Sequence, residues 1–300
     1  MEHTRRAATA QSASFPLLAP DRRLHDENEP IFDQGLAFDV ETLMDRRQVI
    51  KLLGYSGLAV GLLGIVGCAP GASSGAPSSA ASGTASTAGC EVIPEETAGP
   101  FPGDGSNGPD VLNQSGIVRS DIRSSFGSSS GTAAGVPLTI KLAIQDEANH
   151  CAPLAGAAVY LWHCDQEGRY SLYSQGVEDQ NYLRGVQEAD GTGQVTFNSI
   201  FPACYSGRWP HIHFEVYPSL AKATESSNKI ATSQVALPKD VCETVYATDR
   251  YSQSVANLAR VSLASDNVFG DDGGAHQLGT VSGTVEGGLT VELAVPVKPA

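Results

Sequence analysis

Alternation of apolar and polar residues in the second half of the chain predicts a series of short β-strands. Residues 138–144 alternate leucine and isoleucine with threonine, lysine and alanine, a period of two that is typical of a strand with one buried face. Another strand is predicted at residues 194–197, directly after the turn formed by residues 190–193. Further strands are predicted at residues 157–162, 211–217, 280–285 and 289–295, the last two joined by a hairpin turn at residues 286–288.

Helical patterns are scarce, since only residues 241–264 predict short helix. Many short strands separated by turns that contain glycine and proline favour a mainly β protein, either a β-sandwich or a related barrel. Residues 103–135 are rich in glycine, serine and aspartate, and we expect them to form a long surface loop.

The first part of the chain has the composition of export and tether segments. Residues 1–45 are polar and without periodicity, so they are predicted to be a disordered extension, and either Met1 or Met44 is a candidate start. Residues 46–68 begin with an arginine pair and continue into a short apolar run, a pattern that resembles a twin-arginine export signal. The segment ends at Cys68, in a context that resembles a bacterial lipobox.

Residues 69–89 consist almost entirely of glycine, alanine, serine, threonine and proline, which predicts a flexible linker. The folded domain is predicted to occupy residues 90–300. We therefore expect an exported, extracytoplasmic protein, either anchored to a membrane through a lipid on Cys68 or secreted.

Composition narrows the classes of partner. The formal net charge of −14 argues against nucleic acid, whose phosphates bind basic patches. Six cysteines suit an oxidising compartment, although their spacing is not that of a small disulfide scaffold. The pairing remains open, and Cys164 with Cys204 is a candidate bridge because each lies next to a segment of the candidate site.

His211 and His213 form a candidate pair of metal ligands. Residues two apart in a strand point to the same face, so the predicted strand 211–217 would project two imidazoles side by side. The intervening Ile212 and the following Phe214 would then face the core. This arrangement suits two ligands of one metal ion.

A ferric ion with tyrosine ligands is the metal that we favour at this pair. Fe(III) is a hard ion that prefers anionic oxygen and accepts imidazole, whereas zinc usually binds cysteine, histidine and carboxylate. A bound cation also holds a tyrosine deprotonated, against its usual pKa of about 10. The rival is a ferrous site with two histidines and a carboxylate. Glu215 lies on the same strand face but roughly 13 Å along the strand from His211, which makes it the less favourable choice.

The chain from about Glu91 to Val295 resembles the intradiol ring-cleavage dioxygenases, non-haem Fe(III) enzymes that include catechol and protocatechuate dioxygenases. The resemblance is densest at residues 158–165, 168–171, 182–185 and 202–213. The ligand pattern of that family is a tyrosine after Gly-x, a tyrosine after Pro-x-x, and an arginine three residues before His-x-His. This chain supplies these positions in order as Tyr170, Tyr205, Arg208, His211 and His213.

The resemblance implies a β-sandwich of the intradiol dioxygenase type that binds Fe(3+) through Tyr170, Tyr205, His211 and His213. It implies that a catechol-type ring is cleaved with O2 between its two hydroxylated carbons to give a cis,cis-muconate-type product. Tyr205, which would leave the metal when substrate binds, and Arg208, which would stabilise negative charge on the ring, are the implied catalytic residues. A homodimer is a further expectation. The alternative, from a different class, is a non-catalytic metal- or ligand-binding β-sandwich lipoprotein.

Other polar and aromatic residues are interpreted as supporting or structural. Arg184 is expected to form a structural ion pair, because arginine binds carboxylates well. Glu95 and Glu96 are expected to be solvated, and His150 and His276 to lie in loops. His163 is expected near the site without binding metal, and Gln234 is expected to match a polar residue that lines the pocket. Tyr160 and Tyr182 are expected to pack in the sandwich or to line the pocket, and Tyr173 is the nearest alternative to Tyr170.

Overall fold

The computed structural model describes residues 90–299 of the 300-residue chain. The predicted extension at 1–45, the signal segment at 46–68 with its Cys68, and the linker at 69–89 lie outside the described residues. No helix within residues 90–299 is both long and apolar enough to span a bilayer.

Nine strands and two short α-helices make up the regular structure of residues 90–299. The strands are β1 (Pro137–Asp146), β2 (Ala152–Pro153), β3 (Ala158–Trp162), β4 (Arg184–Glu188), β5 (Gln194–Ile200), β6 (His211–Tyr217), β7 (Ala231–Ala236), β8 (Thr280–Thr284) and β9 (Gly288–Val297). The helices are α1 (Lys239–Tyr246) and α2 (Ser252–Leu258). Single 3-10 turns occupy Glu147–Asn149, Leu220–Lys222, Ser226–Asn228, Asp249–Tyr251, Leu263–Ser265 and Phe269–Asp271.

The strands form two sheets. In the larger sheet β1 pairs in parallel with β9, which forms an antiparallel hairpin with β8, while β5 and β2 pair with β1 in antiparallel fashion. The smaller sheet is antiparallel throughout and has the order β4-β3-β6-β7. Because β6 lies inside this sheet, all seven of its residues are buried.

The core lies between the two sheets. Strand β1 contributes its alternate residues, for example Leu138 and Ile140, and the smaller sheet contributes Leu161, Ile212 and Phe214, all in one cluster of buried side chains. This arrangement is a mainly β sandwich, as the alternation of apolar residues predicted. It leaves the other face of β6, which carries the histidine pair, pointing away from the core.

A second cluster of buried side chains covers that other face. Phe101, Val111 and Leu112 pack there against Tyr160 and Trp162 of β3. The prediction of a surface loop at 103–135 is therefore wrong in part. None of the strands β1–β9 begins in this segment, but it contributes buried apolar side chains. Isolated bridges from Val118 and Asp121 to β4 and β5 also hold it against both sheets.

The cysteines pair differently from the suggested bridge. Cys90 and Cys151, which are 61 residues apart, form a disulfide. Cys164 and Cys204 are buried free thiols, as is Cys242, so the candidate bridge between Cys164 and Cys204 is wrong. The sulfur of Cys164 instead contacts the carbonyl of Ala203.

Candidate metal centre

Four side chains converge at the start of β6. His211 and His213 come from the strand itself, Tyr205 from the segment before it, and Tyr170 from the turn after β3. The Tyr205 and Tyr170 hydroxyl oxygens lie 3.2 and 3.4 Å from His211 Nε2 and 3.5 Å from each other. His211 Nε2 lies 3.0 Å from His213 Nε2. The predicted ligand set is thus brought together around one point.

These separations suit donor atoms that share a metal ion. Ligands about 2.0–2.1 Å from a metal in tetrahedral arrangement lie roughly 3.3 Å from one another. His211 Nδ1 donates to the Trp209 carbonyl at 2.5 Å, so a neutral His211 presents a lone pair at Nε2. His213 Nδ1 is buried and has no hydrogen-bond partner among residues 90–299. Two imidazole nitrogens in such proximity need a proton or a cation between them.

Burial controls the charge of three of the donors, the two histidines and Tyr170. It lowers the pKa of His211 and His213 well below the usual value, and Arg208 lowers both further, so the imidazoles are neutral at pH 7. Burial also raises the pKa of Tyr170 well above 10, and neighbouring Tyr205 adds to this shift. The protein alone therefore keeps Tyr170 protonated, and only a strongly charged cation would make it a phenolate.

The donor set fits a ferric ion better than the rival sites. Two phenol oxygens and two imidazoles are the mixture of hard oxygen and nitrogen ligands that Fe(III) accepts. No cluster of three His, Cys, Asp or Glu side chains suited to a metal exists within residues 90–299. Glu215, the carboxylate of the rival ferrous site, instead accepts from Lys229 Nζ and Tyr217 Oη at 2.7 Å each.

A glycine brings the two tyrosine segments together. Gly168 has φ +84°, a left-handed conformation that glycine adopts without steric cost. A Cβ at this position would lie only 3.1 Å from Tyr205 Cβ. Phe101 then stacks on the Tyr170 ring with centroids 4.8 Å apart, which fixes the buried phenol from its other side. The Gly-x-Tyr spacing thus has a steric reason.

Arg208 is buried beside the histidine pair and is held from two sides. Its Nε donates to Asp266 Oδ2 at 3.0 Å and its terminal NH2 group donates to Gln234 Oε1 at 2.7 Å. Gln234 lies opposite His213 in the β6–β7 register and donates to the Thr97 carbonyl. The predicted polar lining residue Gln234 thus lies directly beside the predicted catalytic arginine.

The other histidines and tyrosines considered for the site form hydrogen bonds to other protein groups or lie apart from the four donors. Both ring nitrogens of His163 have partners, the Cys164 carbonyl and Ser199 Oγ, and burial lowers its pKa to about 4. Tyr173, the nearest alternative to Tyr170, bonds through its hydroxyl to Gly103 and Asn107. Tyr160 and Tyr182 are buried, whereas His150, His276 and Glu95 are exposed, as expected.

Two interpretations are corrected by the structure. Arg184 has no ion pair among residues 90–299 and instead donates to the carbonyls of Phe101, Pro102 and Ser171 and to two hydroxyls. Glu96 is buried rather than solvated, and burial, with a contribution from Asp271, raises its pKa to about 8. The sequence motifs did not point to Asp266, because it lies 58 residues beyond Arg208 and outside the segments in which the resemblance is densest.

Comparisons with known proteins bear on this geometry. A family model described as Dioxygenase matches residues 107–240, which include all four converging side chains and Arg208. Chlorocatechol 1,2-dioxygenase from Rhodococcus opacus is 38% identical over 53 residues, which are 18% of this chain and 21% of that protein. These matches indicate the intradiol ring-cleavage dioxygenase family. The curated match thus spans about a fifth of its relative's length.

Two solved structures are similar to this chain. An intradiol ring-cleavage dioxygenase from Tetranychus urticae superposes with a TM-score of 0.56 at 24% identity, covering 70% of this chain and 96% of that one. The dioxygenase domain of a dioxygenase–carbohydrate-binding protein fusion from Streptomyces sp. SirexAA-E has a TM-score of 0.44 at 21% identity, covering 70% of this chain and 100% of that one. The first of these likenesses shows a shared fold.

Proposed function

We propose that this chain is an intradiol dioxygenase that uses Fe(3+) to cleave catechol-type rings with O2 between the two hydroxylated carbons. The product would be a cis,cis-muconate-type diacid. The convergence of Tyr170, Tyr205, His211 and His213, with donor atoms 3.0–3.5 Å apart, is the observation that supports this proposal. The relatives named catechol-type dioxygenases agree with it.

The two tyrosines would have different roles because their environments differ. Bound Fe(3+) would supply an electron-accepting Lewis-acid centre that activates the catechol ring toward O2. Tyr170 is 1% exposed and stacked under Phe101, so it is placed to remain a fixed ligand. Tyr205 is only partly buried, and its phenolate oxygen is placed to accept a proton from an incoming catechol and turn away. With Tyr170, a catechol dianion would then balance the three positive charges, which avoids an uncompensated buried charge.

Arg208 would act on the charge of the bound ring. Its guanidinium is buried and lies close enough to the histidine pair to lower the pKa of both imidazoles. Since the histidines are neutral, Arg208 is the cationic side chain placed to stabilise negative charge as it develops on the ring. A preorganised donor of this kind is typically worth about 10²–10³ in kcat.

The disulfide supports export as part of this proposal. Disulfides such as Cys90–Cys151 persist in oxidising compartments and are rare in the cytosol. We propose that the enzyme works outside the cytoplasm, on catechol-type compounds encountered there, after export through the segment 46–68. Replacing both arginines of this segment by lysine should retain the protein in the cytoplasm, as cell fractionation would show. Normal export of that variant would contradict the twin-arginine route.

Oxygen uptake on a panel of substituted catechols is the experiment that tests the function. The iron-loaded protein should consume one O2 per ring and form a muconate-type product, identified by ultraviolet absorbance and mass spectrometry. It should also be red-brown, because tyrosinate bound to Fe(III) absorbs visible light. A coloured, iron-loaded protein without turnover on any catechol would favour the non-catalytic binding lipoprotein. A colourless protein from iron-replete cells would reject the ferric tyrosinate site.

A further inference from the structure

Asp266 is a buried carboxylate that touches Arg208. Its side chain is fully buried, and Oδ2 accepts from Arg208 Nε at 3.0 Å and from the Trp209 backbone N–H at 2.6 Å. Oδ1 accepts from the backbone N–H groups of Val268 and Phe269 at 2.8 and 3.1 Å. The two backbone bonds at Oδ1 fix the carboxylate from its own segment, so its position does not depend on Arg208.

Trp209 connects the same carboxylate to the histidine pair. The Trp209 N–H donates to Asp266, while the Trp209 carbonyl accepts from His211 Nδ1 at 2.5 Å. The Trp209 indole donates to the Leu237 carbonyl, which holds this residue at a third point. The bond at one nitrogen of an imidazole sets the orientation of the other nitrogen, so the backbone that Asp266 holds is also the backbone that orients His211.

We propose that Asp266 is a positioning residue for the dioxygenase reaction, which aims the Arg208 guanidinium at the bound ring and steadies the carbonyl that orients His211. This inference rests on the proposed function. Asp266 and Gln234 hold the guanidinium from different elements, 58 and 26 residues along the chain from Arg208. A long, flexible side chain is thereby ordered before substrate binds, which is the condition for effective electrostatic catalysis.

The charge of Asp266 matters as much as its hydrogen bonds. Arg208 is 1% exposed, and removing one charge of a buried ion pair is strongly destabilising. Removing the negative charge while keeping the shape would therefore weaken the contact that holds Arg208 Nε. An isosteric Asp266→Asn change tests this, because it retains one acceptor oxygen and loses the charge.

A thermal double-mutant cycle tests the pairing without any requirement for activity. Asp266→Asn should lower the Tm clearly in the wild-type background and by less than half as much in an Arg208→Gln background, since partners are not additive. The matched control is Asp121→Asn, because Asp121 forms the same kind of contact with Arg123 on an exposed surface; its Tm should stay near wild type. Equal losses in both backgrounds would overturn the proposal. Should the single Asp266→Asn protein not fold, the double variant should fold, and its failure to do so would also overturn it.

Kinetics of the iron-loaded variants test the positioning role. Asp266→Asn should keep its iron and its visible absorption band, lower kcat by about tenfold or more, and change KM by less than about threefold. Added to Arg208→Gln, it should lower kcat by a clearly smaller factor than in the wild-type background, leaving only the part that acts through Trp209 and His211. Unchanged kcat, or losses that multiply with those of Arg208→Gln, would refute the role. A wild-type protein without turnover would refute the proposed function instead, and the thermal cycle would still decide whether Asp266 holds Arg208.

Discussion

The indole of Trp162 lies flat against the imidazole of His213, with ring centroids 4.9 Å apart and an angle of 6° between the planes. The two residues are direct cross-strand partners of β3 and β6. Because His213 Nδ1 has no hydrogen-bond partner among the described residues, its ring is held by this stack together with edge contacts from Tyr170 and His211. Trp162 thus orients His213 as the Trp209 carbonyl orients His211.

Trp162→Ala should therefore weaken iron binding as well as folding. Loss of the buried indole should lower the free energy of unfolding by about 3–5 kcal/mol, and iron retained per folded protein after desalting should fall. Phe197→Ala is the matched control, because it makes a comparable cavity in the core between the sheets. That variant should lose stability but keep its iron. Equal iron retention in the two variants would contradict the orienting role of Trp162.

The three neighbouring tyrosines should respond differently to removal of the hydroxyl. Tyr205→Phe should retain iron but lower turnover by about 10²-fold or more, because the proton acceptor is lost. Tyr170→Phe should lose much of the visible band, since the fixed phenolate would be absent. Tyr173→Phe is the control, because its hydroxyl bonds to Gly103 and Asn107 away from the donors. Iron analysis, spectra and oxygen uptake distinguish the three, and full activity of Tyr205→Phe would refute its role.

His213→Ala should lose the metal, unlike Tyr205→Phe. It removes one of only two nitrogen donors at the site, and the short alanine side chain provides no replacement. His163→Ala is the comparison variant, since both nitrogens of His163 bond to protein groups and it should keep its iron. The measurement is iron per protein by elemental analysis. Retention of full iron by His213→Ala would mean that the ligand set is wrong.

Arg184 supports the site through neutral oxygens rather than through an ion pair. It donates to the carbonyl of Phe101, the residue whose ring stacks on Tyr170. It also donates to the carbonyl of Ser171, the residue after Tyr170. Arg184→Lys should cost about 3 kcal/mol or more of unfolding free energy, because lysine lacks the planar fork that satisfies several acceptors at once. Arg123→Lys, an exposed control, should stay within about 0.5 kcal/mol. Denaturant unfolding of both variants checks this.

Strand prediction succeeded where polar and apolar residues alternate along the sequence. The predicted strand 211–217 coincides with β6, and β1 and β9 contain the predicted strands at 138–144 and 289–295. Strand β7 was missed because its threonine, serine and glutamine follow one another, so its sequence does not alternate between polar and apolar residues. Strand β4 was missed because it starts with a buried arginine and a glycine, which are unusual in strands.

The side chains named by the ordered motif converge in the structure, but the contacts around them could not be predicted from the sequence. Asp266, Glu96 and the acceptors of Arg184 reach the site from distant segments, and carbonyl acceptors leave no signature in a sequence. The expected ion pair of Arg184 failed for this reason. The predicted Cys164–Cys204 bridge was wrong for a similar reason. Its basis was that both cysteines lie next to site segments, which carries no information about a disulfide between Cys90 and Cys151, 61 residues apart.

Removing the disulfide should destabilise the domain without touching the site. In the chain-entropy model, a disulfide that closes a loop of this length stabilises the folded state by about 4 kcal/mol. Disulfides in proteins typically contribute about 2–4 kcal/mol. Replacing Cys90 and Cys151 together by serine should thus lower the free energy of unfolding by that amount, with kcat of the folded enzyme unchanged. Cys242→Ser is a comparison that leaves the bridge in place. An unchanged denaturation midpoint for the double variant would show that the bridge is absent in solution.

Glu96 should make stability fall as pH rises. Its pKa is raised from the ordinary 4.5 to about 8, mainly by burial and then by Asp271, while Gln277 and Arg208 favour the charged form. Between these values the folded state binds more protons than the unfolded state, so folding loses stability with rising pH, by at most about 1.4 kcal/mol per pH unit. Glu96→Gln should flatten unfolding free energies measured between pH 5 and 8, whereas exposed Glu95→Gln should not. A wild-type slope that persists in Glu96→Gln would assign the effect to another group.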